Sequence, residues 1–367
     1  MKRSARIDKT LVILIALLVG LGILVFLSAV FGPLARGASN VSSVVFKHLV
    51  LGVGAGGVLL IAATFIDYRT WRKFAPYMFG FALILTTLVF VPGLGFEHGG
   101  GKRWISIAHF TLQPSEGLKI AAVILAAAYF SAIRTQITDF RYSVGGLLAI
   151  LALPAAILML QPDIGTLGVI TLSVMAIFLV AGARLRDIAI VVCIGVVAIG
   201  IFATLKPYAL ERITTFLNPS HAPQAEGYQI KQSLIAVGSG GLTGRGFGQS
   251  VQKFTYLPEP MGDSIFAIVS EEFGFIGSLT IIGLFLALAL RAFSMGARAT
   301  DSFGALLAVG IATYLTVEAF INIAGILGVA PLTGIPLTFI SQGGSAMIAS
   351  LFSAGILLNI SKYTRRG

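Results

Sequence analysis

Ten apolar runs, each long enough to cross about 30 Å of hydrocarbon at 1.5 Å per residue, constrain this chain more than any other feature. They fall at roughly 10–31, 45–66, 74–95, 115–133, 144–161, 164–182, 188–205, 264–290, 303–327 and 343–361. The spacing predicts an all-α, polytopic integral membrane protein with about ten transmembrane helices. Composition agrees: 56% of the 367 residues are hydrophobic and 11% are charged, against roughly a quarter charged in an average soluble domain. The first run follows "MKRSARIDK" and has no small-x-small cleavage site after it, so it reads as a retained first helix.

Charge sets the orientation. The segments 1–9, 67–76, 134–143, 183–187, 291–303 and 362–367 hold 16 Lys and Arg in 53 residues, whereas the four short loops on the other side hold three. The positive-inside rule therefore predicts cytoplasmic termini. The net charge of +11 is mostly this topology signal. A nucleic-acid binder would gather its basic residues on one face of a soluble fold, and no such fold is expected here. Cys193 stands alone in mid-helix, which excludes an intramolecular disulfide. His48, His98, His109 and His221 lack zinc-ligand spacing and read as loop or interfacial residues.

No repeat or soluble domain interrupts the pattern, so residues 1–367 read as one integral membrane domain. Its largest extracytoplasmic loop, at about 206–263, is far longer than an ordinary connection. Within it, "EGYQIKQSLIAVGSGGL" spaces its apolar residues as a helix lying along the interface would. The loop ends in "YLPEPMGDSIFAIVSEEFGFIG". Asp263 falls at the start of the eighth helix, where an aspartate serves as an N-cap, a general base or a metal ligand; Ser264 competes for the cap. Glu271 and Glu272 lie about two turns deeper, pointing about 100° apart. At least one is expected to line a polar cavity or to hydrogen-bond another helix, because intramembrane acids rarely face lipid. Asp163 after "MLQP" and Glu318 in the ninth helix are similar cases.

The shorter loop "GGGKRWISIAHFTLQPSEGLKIA" supplies Lys102, Arg103, Trp104, Glu116 and Lys119. Trp104 suits an interfacial belt or the face of a sugar ring. Glu116 and Lys119 are three residues apart, as in an internal ion pair, and a role in holding an anionic substrate is the alternative. "GSGGLTGRGFG" lacks the Gly-Lys-Ser/Thr ending of a nucleotide loop. Its free N–H groups and Arg245 suit a turn that approaches a pyrophosphate.

Taken together, "GKRWI", "QPSEGLKIA", "QPDIGT", "GYQIKQSLIAVGSGGLTGRGFGQSVQKFTYLPEPMGDSIFAIVSEEFGFIG" and "PLTGIPLTFISQGGSA" resemble the SEDS family of bacterial shape, elongation, division and sporulation proteins. The similarity spans nearly the whole chain, and "SVQKFTYLPE" is more similar to the division and sporulation members than to the elongation member. The resemblance implies a peptidoglycan glycosyltransferase that polymerises lipid II at the outer face of the cytoplasmic membrane. It also implies a class B penicillin-binding protein as partner, within a divisome or elongasome. The family's essential aspartate falls on Asp263, its tryptophan on Trp104, and its glutamate and lysine on Glu116 and Lys119. The family commonly has His-Thr before that aspartate and a bulky residue after it, where this chain has Met261-Gly262 and Ser264; Gly117 also replaces a bulkier residue.

The implied reaction needs a base, for which Asp263 is the catalytic choice, and cations or a divalent ion, Mg²⁺ or Mn²⁺, for a diphosphate leaving group. No cofactor is certain, and Asp263 is the one metal ligand considered. Lys102, Arg103, Arg212, Arg245 and Lys253 are the outward cations expected to bind substrate. A lipid II flippase and a non-enzymatic scaffold for the penicillin-binding protein are the alternatives. A flippase would show repeated halves with discontinuous helices, a symmetry absent from this sequence.

Overall fold

The computed structural model describes residues 7–38, 41–98, 101–107, 110–205, 207–218 and 226–364; His109 and His221 lie outside them. Among the described residues, nine helices are long and apolar enough to cross a membrane, and Ile164–Val180 adds a shorter apolar one. In chain order the helices are α1 (Lys9–Ala35), α2 (Val41–Phe46), α3 (Gly56–Phe65), α4 (Arg69–Thr87), α5 (Pro114–Ala132), α6 (Phe140–Leu160) and α7 (Ile164–Val180). There follow α8 (Leu185–Leu205), α9 (Pro207–Leu217), α10 (Glu226–Ser239), α11 (Gln252–Thr255), α12 (Ile265–Ala297), α13 (Ser302–Ile326) and α14 (Gly344–Ser361). A π-helical segment, Lys47–Ala55, joins α2 to α3 into one span.

The interior is built around α13, α14 and α5, each buried over two thirds or more of its most apolar stretch, while α8 is 11% buried and stands at the edge. Small residues let the central helices approach, as membrane packing requires. A Cβ on Gly310 of α13 would lie 2.7 Å from Val123 of α5 and 2.5 Å from Ile177 of α7. The two chain ends meet: the Asp8 N–H donates to Ser361 Oγ at 3.1 Å, which fits an even number of crossings. Asp8 also caps α1 through Leu11 N and accepts two hydrogen bonds from Arg291 of α12. Burial works to raise the Asp8 carboxyl, but the hydrogen bonds from Arg291 and Leu11 N, together with the charges of Arg291 and Arg298, hold its pKa below the ordinary value.

At the opposite end, residues expected to form a plain loop make a three-stranded antiparallel sheet, β1 (Gly95–His98), β2 (Gly101–Ile107) and β3 (Phe110–Leu112). The alternation in "KRWISI" is the physical reason. The register slips at Arg103: Phe96 pairs with Trp104 but Glu97 pairs with Lys102. That extra residue is a bulge, a device that re-aims side chains beside functional sites.

The eighth span is not the single straight helix that the sequence predicts. Gly274 has φ 65° and ψ −159° and breaks α12 in two. This backbone region belongs almost exclusively to glycine. A break inside hydrocarbon exposes carbonyls and N–H groups that must be paired within the protein. The glycine-rich segment pairs them: Arg245 N and Gly246 N donate to the carbonyls of Glu271 and Glu272, at 3.0 Å each. From beyond the break, Phe275 N and Ile276 N donate to the carbonyls of Gly241 and Leu242, at 2.9 and 3.1 Å. "GSGGLTGRGFG" is thus a plug for a broken helix, and its glycines are needed for close approach: a Cβ on Gly244 would lie 2.1 Å from the Glu272 oxygen.

Gly274→Ala is expected to cost at least about 1–3 kcal/mol through backbone conformation alone, with a clash against Gly244 N in addition. Thermal unfolding of the purified protein in detergent will show a clearly lowered midpoint; a wild-type midpoint would refute the plug.

Candidate active site

A cavity of about 850 Å³ opens at the end of the bundle away from the joined termini. It is lined by Lys47 and His48 of the π-helical segment, Arg103 and Trp104 of β2, Arg212 of α9, and Tyr228 and Gln229 of α10. Glu259 and Asp263 line it just before α12, Gly334 and Gln342 do so between α13 and α14, and Ser345 does so in the first turn of α14. The bulge in β2 is what allows the adjacent side chains of Arg103 and Trp104 both to reach it.

Asp263 does not cap α12. Ser264 holds the cap position without a side-chain cap bond, and its Oγ instead accepts from Gln229 Nε2 at 2.9 Å. Three successive carbonyls fix the turn from behind. Met261 O accepts from Gln342 N at 2.7 Å, Gly262 O from Ser341 Oγ at 2.8 Å, and Asp263 O from Asn322 Nδ2 at 2.9 Å. With its backbone held this way, the Asp263 side chain faces the cavity. Gly334, at φ +69°, sits against it: a Cβ there would lie 3.5 Å from Asp263 Oδ2 and 3.9 Å from Arg103 Nη1. Arg103 is largely buried and donates to the carbonyls of Gln161, at 3.4 Å, and Pro162. These are C-terminal carbonyls of α6, where a cation is favoured.

The other acids named from sequence are gathered beneath the cavity rather than in it. Lys119 Nζ lies 2.9 Å from Glu116 and 2.8 Å from Glu318 of α13, with all three side chains almost fully buried. The pair within α5 is therefore a triad across two helices, and it carries one more carboxylate than cation. Glu272 is held by Lys253 Nζ at 2.6 Å and by Ser28 Oγ of α1 at 2.7 Å. Lys253, expected to be an outward cation, is fully buried, because this ion pair draws α11 against α1 and α12. Glu271 accepts from Ser250 Oγ at 2.6 Å and from the N–H groups of Val251 and Gln252 at the start of α11, and Arg245 stands 3.6 Å from it. Neither glutamate lines the cavity. Asp163 caps α7 through Thr166 N at 3.3 Å and accepts from Ser115 Oγ at 3.4 Å. Lys102 is exposed on β2 and, like Arg245, is not in the cavity lining.

Several lining residues were not singled out from the sequence as site residues: Lys47, His48, Tyr228, Gln229, Glu259, Gln342 and Ser345. For the first two the signal available was a polar pair opening the second apolar run. His48 lies in the π-helical segment rather than in a loop, is 2% exposed and packs on Phe26 with ring centroids 4.0 Å apart. Among the described residues no group of three or more His, Cys, Asp or Glu side chains could hold a metal ion. The donors that suit a hard cation here are the carboxylates of Asp263 and Glu259, and Mg²⁺ habitually completes such a set with substrate phosphate oxygens and water.

Residues 9–366 match the profile of the Cell cycle protein family that comprises FtsW, RodA and SpoVE. The chain belongs to this family. It is 40% identical to the Stage V sporulation protein E of Bacillus subtilis, over 98% of both chains. It is 38% identical to the "Probable peptidoglycan glycosyltransferase FtsW" of Trichlorobacter lovleyi, over 98% of this chain and 94% of that one. Among solved structures, a chain described under "Structural coordination of polymerization and crosslinking by a peptidoglycan synthase complex" superposes with a TM-score of 0.79 at 25% identity, covering 97% of each chain. The rod shape determining protein RodA of Thermus thermophilus superposes with a TM-score of 0.69 at 24% identity, covering 98% of each, and shares the fold. The all-α membrane architecture expected from the apolar runs is thus that of the FtsW/RodA/SpoVE family.

Removing the cation of the triad leaves two buried carboxylates facing each other, so Lys119→Met is expected to destabilise the protein by about 3–5 kcal/mol. The neutral triple variant Glu116→Gln, Lys119→Met, Glu318→Gln should regain most of that in a detergent thermal-shift assay. Exchanging Glu116 and Lys119 alone should not, because the new glutamate would meet Glu318. Full recovery by the simple exchange would argue against the three-membered cluster.

Proposed function

We infer that this chain is a peptidoglycan glycosyltransferase that polymerises lipid II into glycan strands. The observation that carries the reading is the cavity of about 850 Å³ that Asp263 lines, with the backbone of its turn pinned at three carbonyls. Membership of the family and relatives named as glycosyltransferases support it.

In the proposed reaction, Asp263 accepts the proton of the acceptor sugar's 4-hydroxyl as that oxygen attacks the anomeric carbon of the donor. The bond from that carbon to the prenyl diphosphate breaks in the same displacement, with inversion. Charge develops on the departing diphosphate, and cationic side chains facing the cavity are placed to stabilise it. Lys47, Arg103 and Arg212 are such groups. Arg103 also holds the end of α6, so its first effect is to fix the wall beside Asp263. Trp104 offers a flat apolar face suited to a sugar ring. A Mg²⁺ or Mn²⁺ ion, if held by Asp263 and phosphate oxygens, would supply further charge neutralisation.

The basic residues of the opposite-side loops support a bacterial cytoplasmic membrane location with both termini in the cytoplasm and the cavity outside. An outward cavity supplies glycan where crosslinking occurs. A class B penicillin-binding protein is the proposed partner, supported by the likeness to a chain of a peptidoglycan synthase complex that coordinates polymerisation with crosslinking.

Asp263→Asn should lower glycan-strand formation about 10²- to 10⁴-fold, the usual worth of a general base, in a gel assay with lipid II and the co-purified transpeptidase partner. Activity near wild type in the folded variant would remove Asp263 from the chemistry. A variant whose rate changes with added Mn²⁺ would mark it as a metal ligand instead of a base.

A further inference from the structure

The cavity wall contributed by the second span carries a polar pair, Lys47 and His48, whose side chains have no hydrogen-bond or ion-pair partner among the described residues. His48 is 2% exposed, yet neither Nδ1 nor Nε2 has a hydrogen-bond partner among the described residues. Buried polar side chains are almost always paired, and one that is not calls for an explanation such as a missing ligand. The ring lies against Phe26, which supplies no acceptor or donor, and it borders the cavity that Asp263 faces. The preceding residue, Lys47, lines the same cavity and forms no ion pair with a described residue. The other lining cations differ: Arg103 is committed to two main-chain carbonyls and Arg212 already has an interaction.

Backbone geometry sets the pair apart as well. Lys47 and His48 open a nine-residue π-helical segment, and such wider turns are concentrated at functional sites. The segment holds Gly52 and Gly54 and runs directly into Gly56 and Gly57. Two of these glycines seat the segment closely on α14: a Cβ on Gly56 would lie 2.7 Å from Leu351 Cδ1, and one on Gly52 would lie 3.5 Å from Met347 Cβ.

We propose that Lys47 and His48 form the subsite for the diphosphate of the prenyl-linked donor, resting on the glycosyltransferase reading of the cavity. Lys47 supplies a point charge, and the imidazole donates one N–H to a phosphate oxygen. No bond is made or broken by either residue. Their work is to hold the diphosphate so that its ester bond to the donor sugar is aligned for displacement near Asp263. Further along the same span Val50 and Val58 are exposed, an apolar surface suited to a prenyl chain.

The test is binding, independent of turnover. With Trp71→Phe removing the tryptophan outside the cavity, the fluorescence of Trp104 reports occupancy. Purified protein is titrated with farnesyl diphosphate and, separately, with farnesyl monophosphate. Saturable quenching by the diphosphate, at least fivefold tighter than by the monophosphate, is expected. Lys47→Gln and His48→Gln should each weaken it about 5- to 20-fold. Affinity unchanged in both variants, equal affinity for the monophosphate, or no quenching at all would overturn the subsite. If His48→Gln does not purify as a monodisperse protein, Lys47→Gln and His48→Asn decide the matter. Failure of the glycosyltransferase reading would look different: diphosphate binding that depends on Lys47 and His48, with no glycan product from wild type.

Discussion

Every polar group inside the bilayer must find its partner in the protein, and the break in α12 at Gly274 is where this chain meets that demand most heavily. The break frees carbonyls on one side and N–H groups on the other, and residues 241–246 answer four of them directly. The same arrangement explains two acids that look extravagant in an apolar sequence. Glu271 and Glu272 lie just before the break, where their side chains reach α11 and α1 rather than lipid. Lys253 neutralises Glu272, and Ser250 binds Glu271. The result ties the irregular chain from 241 to 255 to the helix whose first turn follows Asp263.

This sorting separates ionisable groups that hold the fold from those available for chemistry. The Glu116, Lys119 and Glu318 triad and the Lys253–Glu272 pair are fully enclosed and bonded mainly to one another. Their burial is tolerable because each charge meets an opposite one at less than 3 Å. Asp263, Glu259, Arg212 and Lys47 remain partly exposed and border open volume. The turn that carries Asp263 is nevertheless well fixed, since Asn322, Ser341 and Gln342 reach its backbone from two other segments. Preorganisation here comes from the main chain, which leaves the carboxylate itself for the cavity.

Much of the architecture was legible in the sequence because hydrocarbon imposes a length and an apolarity that few other folds share. Among the described residues nine of the ten runs correspond to the spans and the tenth to the shorter helix Ile164–Val180, within a few residues at most ends. Irregular geometry was harder to read. Nothing in "SEEFGFIG" distinguishes a glycine that breaks a helix from one tolerated within it, since the decision rests with a loop about thirty residues earlier. Lys253 read as outward because a lysine between helices usually is; its partner Ser28 lies 225 residues away in sequence. The motif resemblance pointed to Asp263 and Trp104, which share the cavity with the expected cation Arg103, and also to Glu116 and Lys119, which lie below it. Lys47 and His48 escaped because their significance depends on what they fail to touch.

The walls of the cavity differ in how they are tied down. Asp263 and Gly334 belong to segments braced by Asn322 of α13, which with α14 is the most buried of the candidate spans. Arg212 sits on α9, which follows α8, a helix only 11% buried. Local stability follows contact with the rest of the fold, and elements that move during function are drawn from its weakly held end. A polymerising site has two needs that conflict: the groups that meet the reacting sugars must stay in place, and a growing strand must advance through the same space. Bracing one wall while leaving the other lightly attached meets both. The division follows directly from where this sequence places its small residues and its buried charges.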